Sequence, residues 1–401
     1  MEKENTGMLK LALKWIRSVL GMCWRLVTDY RYPVWYTLKT KGIRAAYNFV
    51  FVKFFARGER VGARLLDAWN YLFPGLTPYP YMIELEISTK CHLKCTICEN
   101  TYWPAEEKVT DLTYAQFVHI LDQFPGLKYI NVTGIGSAFA NREFPQMLTE
   151  LSRRNIYVMI CESMTALSDD QIKMLAKYCH KVVFSFDSPV AETYEKIRPP
   201  AKFNKVLQNI VRLIDLRGDS PFPELAFRMT FFKDNQHELL DMVHLVNTLM
   251  TGKRYGDDGA VEFVSILEFD KIAGWEVQIP DRVVHDVERL GKIYKLQVNW
   301  AHPEHLAKKD MTKCVVWSEP YILSTGHVLP CCALLVSNRR PFLRANSFGN
   351  IFDTPFKTIW DRTRNFRKLV RNGNGPVPRI CSGCRAYDTT RREGLYGQAK
   401  Q

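Results

Sequence analysis

The sequence predicts an α/β fold built on a parallel sheet, and three observations support it. Between residues 80 and 270, six strand-like apolar runs alternate with helix-like runs. Two of the helical runs begin with capping boxes, Thr113-Tyr-Ala-Gln116 and Ser168-Asp-Asp-Gln171. A loop with three cysteines, Cys91-His-Leu-Lys-Cys95-Thr-Ile-Cys98, directly follows the first strand. Six β–α units in succession imply parallel strands with helices outside, joined by right-handed crossovers. That topology places the loop after each strand on one edge, where ligands bind.

Taken in chain order, residues 1–78 read as a basic, aromatic helical segment. Residues 1–80 hold thirteen Lys/Arg against five Asp/Glu, a surplus of eight within the chain's net charge of +13. Lys10, Lys14, Arg17 and Arg25 share one helical stripe, and Leu9, Leu13, Trp15, Ile16, Val19, Leu20, Trp24 and Val27 cover the rest. A second stretch, residues 47–57, is richer still in aromatics. Neither contains the uncharged run of about 18 apolar residues that a spanning helix needs. Three readings fit: a packed helical cap on the catalytic domain, a helix lying in a membrane interface, or a surface for an acidic partner. With no dense basic run or recognition motif, nucleic acid is not expected. Cations break the apolar stretch, so a signal peptide is not expected either.

Residues 79–280 form the main α/β unit. Its strands are expected at Met82–Ile87, Lys128–Thr133, Ile156–Cys161, Lys181–Phe186, Glu224–Phe231 and Val261–Glu268. A connecting segment (281–310), a cysteine-bearing domain (311–390) and a tail (391–401) complete the chain. At 46% hydrophobic and 401 residues, it is long enough for two or three domains.

The eleven cysteines fall in tight groups and not in a disulfide framework. Soft thiolate clusters suit iron–sulfur or zinc and need a reducing compartment, so a cytoplasmic, potentially membrane-associated location is expected. Three thiolates on one turn, Cys91, Cys95 and Cys98, suffice for three irons of a cubane. A [4Fe–4S] cluster takes four protein ligands, and no fourth cysteine lies nearby, which leaves one iron open. The rival reading is a zinc knuckle, although zinc loops come as C-x2-C or C-x4-C pairs with a second pair or histidines elsewhere. Downstream, Cys314 precedes a hairpin that turns at Thr325-Gly326 and carries Cys331-Cys332 on its return, and Cys381-Ser-Gly-Cys384 follows. Cys314, Cys331, Cys381 and Cys384 make a closed four-thiolate site, for zinc or iron–sulfur on spacing alone. Cys332 is the alternative to Cys331, because adjacent strand residues face opposite sides; the hairpin register favours Cys331. Cys23, Cys161 and Cys179 read as small core residues.

The C-x3-C-x2-C loop, with Ile97 before its third cysteine, resembles the signature of the radical S-adenosylmethionine (SAM) superfamily. The resemblance implies a partial (β/α)6 barrel whose open iron chelates SAM. It also implies reductive cleavage of SAM to a 5′-deoxyadenosyl radical, which takes a hydrogen atom from substrate. Gly134, Gly136 and Ser137 are similar in position to the family's Gly-Gly-Glu-Pro segment, which receives the SAM amino group; Ser137 and Ala138 depart from it. Glu162 stands at the place of the family's Thr-Asn-Gly and would accept from the ribose hydroxyls. Ser185 and Asp187 resemble a Ser-x-Asp strand end, with Ser185 toward SAM and Asp187 toward substrate. Arg228 has two readings, a pair with the SAM carboxylate or a structural ion pair with Asp187 or Glu268. Glu268 would donate or accept a proton at the end of the sixth strand.

Residues 348–360 and the basic amphipathic helix running to about Asn372 resemble the SPASM/twitch auxiliary domain. No cysteine follows Cys384, so the shortened form with one auxiliary [4Fe–4S] cluster is implied. Electron relay by that cluster and a donor such as flavodoxin or ferredoxin follow from the resemblance. The basic aromatic segment points to a lipid or membrane-associated substrate, beside ribosomal peptides and sugars or aminocyclitols as alternatives. A non-catalytic iron–sulfur or zinc protein on a degenerate scaffold is the reading of another class.

Overall fold

Nine strands line up in one sheet in the computed structural model, which describes residues 13, 16–17, 19–21, 23–55, 79–253, 258–300, 314, 317–332, 335, 339–372 and 378–381. They are β1 (Met82–Leu85), β2 (Tyr129–Val132), β3 (Tyr157–Glu162), β4 (Lys181–Ser185), β5 (Glu224–Phe231), β6 (Ala260–Ser265), β7 (Val298–Trp300), β8 (Tyr321–Ile322) and β9 (Val328–Leu329). The order is β7-β6-β5-β4-β3-β2-β1-β8-β9, parallel throughout except for the antiparallel β8–β9 hairpin. All six expected strands are present. The sixth ends at Ser265, so Glu268 lies three residues beyond it.

Alternation along the strands separates two faces. On β5, Leu225, Phe227, Met229 and Phe231 join the large apolar core beneath the helices, whereas Glu224, Ala226, Arg228 and Thr230 point to the other side. The helices α1 (Arg31–Phe55), α2 (Tyr114–Asp122), α3 (Phe144–Arg153), α4 (Asp169–Tyr178), α5 (Ala191–Ile197), α6 (Phe203–Arg217), α7 (Leu239–Met250) and α8 (Asp281–Tyr294) precede β8. Both capping boxes form: Gln116 N donates to Thr113 Oγ1 at 3.2 Å and Gln171 N to Ser168 Oγ at 3.2 Å. Residues 281–310, expected as a connection, instead supply α8 and β7, a seventh parallel strand beside β6. A three-residue strand is too short to show alternation in sequence.

Helix α1, kinked at Gly42 (φ 82°), covers the start of the barrel strands. Tyr30, Phe49 and Val52 pack on Met82, Tyr129 and Tyr157, the first residues of β1, β2 and β3, and on Phe222. This part of the segment is the packed cap. Lys53 Nζ lies 2.8 Å from Glu224, with both side chains less than a tenth exposed. Lys53→Met strands that carboxylate and is expected to cost about 3–5 kcal/mol. In denaturant unfolding the midpoint should fall with the slope unchanged; a loss under about 1 kcal/mol would mean that solvent already screens the pair.

The C-terminal unit extends the same sheet. Gly326 (φ 84°) makes the β8–β9 turn, where a side chain would strike Asn350 and Phe352. Helices α9 (Arg340–Ala345), α10 (Phe356–Arg362) and α11 (Arg364–Asn372) follow, and α11 ends where the basic amphipathic pattern ends.

Candidate active site at the first strand edge

The three-cysteine loop is anchored on both sides by backbone hydrogen bonds. Thr89 N donates to Thr110 O at 2.9 Å, Lys94 N to Pro199 O at 2.7 Å and Thr96 N to Ile197 O at 2.9 Å. His92 Nε2 lies 2.6 Å from Thr165 Oγ1 on the loop after β3. Asn100 Nδ2 holds Thr89 O at 2.7 Å, and Thr101 Oγ1 donates to Cys95 O at 2.8 Å.

The thiols of Cys91, Cys95 and Cys98 lie close enough to act on one another. Desolvation pushes Cys95 up to about 11 and Cys98 up to about 12, and the neighbouring cysteines push in the same direction. Desolvation also raises Cys91. Arg198 opposes the rise at all three. As thiolates the three would repel one another, and a cationic iron centre would relieve that repulsion as the protons leave.

Arg198 stands beside the cysteine loop, where no spacing in the sequence places it. It lies at the C-terminal end of α5, with Nη1 3.9 Å from Cys95 Sγ. Its Nε and Nη2 lie 2.7 and 2.6 Å from Asp187 Oδ2. Asp187 is fully buried, and its Oδ1 accepts from Thr230 N at 2.9 Å. Where the sequence placed it toward the substrate, Asp187 has both oxygens engaged within the protein and orients Arg198. Tyr194, one turn before Arg198, is also fully buried, and its hydroxyl has no hydrogen-bond partner among the described residues.

The glycines after β2 serve the cysteine loop. A Cβ on Gly136 would sit 2.2 Å from Ser88 O, and one on Gly134 would sit 2.9 Å from Glu86 Cγ. Ser137 N donates to Lys90 O at 2.8 Å. Gly136 therefore permits close approach to the backbone of Ser88–Lys90, just before Cys91, whereas Gly134 makes room for the side chains of Glu86 and Tyr321. Glu162 is buried, not an exposed loop glutamate. It accepts from Ser163 N at 2.8 Å and Ser163 Oγ at 3.1 Å, and burial raises its pKa.

Ser185 and Arg228 stand side by side in the β4–β5 register. Among the described residues Arg228 pairs with Glu262, in place of the expected Asp187 or Glu268. Its Nε and Nη2 lie 2.9 and 2.6 Å from Glu262 Oε2, and Nη1 lies 3.5 Å from Cys161 Sγ. The reason is register: Glu262 is the direct neighbour of Arg228 on β6. Glu268 accepts from Glu276 N at 2.8 Å, which ties it to the loop after β6. Cys179 is buried as expected, Cys161 borders Arg228, and Cys23 is exposed, contrary to the core reading.

The C-terminal unit docks on the barrel by pairing β8 with β1 and by a set of polar contacts centred on one carboxylate. Glu86, five residues before Cys91 and fully buried, accepts from Arg340 Nη1 at 3.0 Å, Arg340 Nη2 at 2.6 Å, Ser324 Oγ at 2.8 Å and Ser324 N at 3.1 Å. Tyr321 Oη donates to Thr133 O at 2.8 Å. Arg344 adds a bidentate pair with Glu107 at 2.8 and 2.6 Å. Cys314, Cys331, Cys332 and Cys381 border one apolar cluster with Tyr321, Leu329 and Leu343, and Cys331 is the more buried of the adjacent two. Cys384 lies outside the described residues.

Comparison with known proteins agrees with this geometry. The model described as "Radical SAM superfamily" matches residues 85–246, and that described as "Iron-sulfur cluster-binding domain" (SPASM) matches residues 314–385. A "Tungsten-containing aldehyde ferredoxin oxidoreductase cofactor-modifying protein" of Pyrococcus furiosus is 26% identical over 75% of this chain and 86% of its own length. An "AdoMet-dependent heme synthase" of Methanosarcina barkeri is 24% identical over 78% of this chain and 93% of its own. Among solved structures, Streptococcus suis SuiB bound to S-adenosylmethionine shares the fold with a TM-score of 0.56 and 15% identity, over 75% of this chain and 70% of that one.

An incomplete parallel barrel with three coupled thiols at its ligand-binding edge, and an iron–sulfur domain docked on its first strand, define a SAM-dependent iron–sulfur enzyme. The chain belongs to the radical SAM superfamily and carries a C-terminal SPASM-type domain. Its cofactors are SAM and [4Fe–4S] clusters. Cys91, Cys95 and Cys98 match the three thiolate ligands of a SAM-cleaving cluster in number and in their place on one loop at the strand edge.

Proposed function

We propose that this enzyme takes a hydrogen atom from its substrate by means of SAM, and that the auxiliary cluster accepts or relays the electron left behind. The observation that carries the reading is the thiol edge: three cysteines on one turn with Arg198 facing them and no fourth cysteine in the loop. When bound, cluster and SAM supply a 5′-deoxyadenosyl radical, so the protein's task is to bind, orient and exclude water. Asp187 holds Arg198 against Cys95. Glu162 and Ser185 stand at the adjoining strand ends and are proposed to contact SAM, while Gly136 supports the cysteine loop from behind. The Arg228–Glu262 pair, with Arg228 about a third exposed, supplies a charged wall for a polar part of substrate.

The reading is thus a radical oxidoreductase or maturase fed by a one-electron donor of the flavodoxin or ferredoxin type. Two relatives matched over 86% and 93% of their lengths are named for work on cofactors. These names favour a cofactor or cofactor precursor as substrate over a peptide or sugar. The N-terminal segment bears less on substrate: α1 sits at the strand starts, opposite the cysteine edge.

Anaerobic reconstitution tests the chemistry. About eight irons per chain, two clusters of four, and 5′-deoxyadenosine on addition of reductant and SAM are expected. Zinc in place of iron, or no deoxyadenosine, would favour a non-catalytic metal protein.

A further inference from the structure

The described residues between 13 and 28 are helical, and their large apolar side chains fall on one exposed stripe. Leu13, Ile16, Leu20, Trp24 and Val27 recur at spacings of three and four residues and are 51%, 45%, 64%, 71% and 67% exposed. Such a contiguous apolar face marks an interaction surface. The helix is fixed to the barrel at its end, where Leu26 and Tyr30 join the cluster that α1 forms with Met82, Tyr129 and Tyr157. The stripe therefore belongs to the pole opposite the cysteine loop.

Charge selects the occupant. From residue 5 to residue 28 the sequence has four cations, Lys10, Lys14, Arg17 and Arg25, and no acid. Of the four, Arg25 has an acid beside it, Asp29 at 3.3 Å; a second copy of this helix would still set Lys10, Lys14 and Arg17 against cations with no acid among residues 5–28. An anionic lipid surface offers an apolar layer for the stripe and negative charge for its flanks. Trp24 is the side chain suited to the boundary between the two. On α1, Trp35 is half exposed, and Lys39 Nζ lies 4.9 Å from its ring centre, which extends the same mixed aromatic and basic character. Among the described residues, no helix is long and apolar enough to cross a membrane.

We propose that the stripe at residues 13–27 docks the enzyme on an anionic bilayer surface. Docking leaves the cysteine edge facing away from the lipid, so it serves location and not delivery of an acyl chain into the site. It rests on no step of the proposed chemistry.

The test is co-sedimentation of the full anaerobic holoenzyme with phosphatidylcholine vesicles, with and without phosphatidylglycerol. Binding only to the anionic vesicles is expected. Leu20→Ser/Trp24→Ser should weaken it on the order of 100-fold, and Arg17→Glu should weaken it while leaving the apolar stripe intact. Both variants should form 5′-deoxyadenosine at the unaltered rate, which keeps this test separate from that of the chemistry. No partitioning, or partitioning that ignores both variants, overturns the proposal. So does a dimer in sedimentation velocity that Leu20→Ser/Trp24→Ser disperses, which would make the stripe a contact between copies.

Discussion

Arg340→Met is expected to lower stability by about 3–5 kcal/mol, because it leaves Glu86 buried without its cation. Glu86 is wholly inside, and Arg340 is only 2% exposed. Two Ser324 hydrogen bonds remain, but they do not neutralise the charge. The damage should concentrate at the joint between the domains. Limited proteolysis of the variant should release fragments from the region after Tyr321 before the barrel is cut. A Glu86→Leu/Arg340→Met double variant removes both charges and should recover most of the loss. A single variant within about 1 kcal/mol of the parent would show that the Arg344–Glu107 pair and sheet pairing suffice to hold the domain.

The second large effect concerns electrons. Arg198→Met should move the reduction potential of the SAM-cleaving cluster to a more negative value. A positive charge beside Cys95 lowers the cost of adding an electron to a thiolate-bound centre, and hydrogen bonds to ligand sulfurs act in the same direction. The shift should be on the order of 60 mV or more, which is a tenfold change for one electron. EPR-monitored titration of protein with the auxiliary cysteines removed reads it directly. Arg198→Lys keeps the charge but loses the planar fork that Asp187 grips, so partial recovery is expected. An unchanged potential with iron content intact would reduce Arg198 to a bracket for the cysteine loop.

Much of this was legible in the sequence because it is local. Capping boxes and the Thr325-Gly326 turn depend on residues a few positions apart, and both take the expected form. What was hidden depends on register between strands. Arg228 meets Glu262 because β5 and β6 pair residue for residue there, and no spacing within the chain announces it. The Glu86–Arg340 joint spans more than 250 residues. One signal did exist: Glu84 and Glu86 alternate within an apolar strand, which places two carboxylates on its barrel-facing side. The likeness of Gly134 and Gly136 to a SAM-binding segment says nothing of their packing: the backbone of Ser88–Lys90 fills the space beside Gly136, and the Glu86 and Tyr321 side chains that beside Gly134. The lysine side of the N-terminal segment was plain from composition, but its division into a packed cap and an exposed stripe needed the barrel to pack against.

The central claim is that three cysteines hold a cluster with one coordination position left for SAM. EPR of the dithionite-reduced protein under argon, recorded before and after SAM in a variant lacking the auxiliary cysteines, tests it most directly. The account predicts that SAM changes the spectrum of the remaining cluster and that Cys98→Ala abolishes both the signal and the change. A spectrum indifferent to SAM, or full signal in the Cys98→Ala protein, contradicts it.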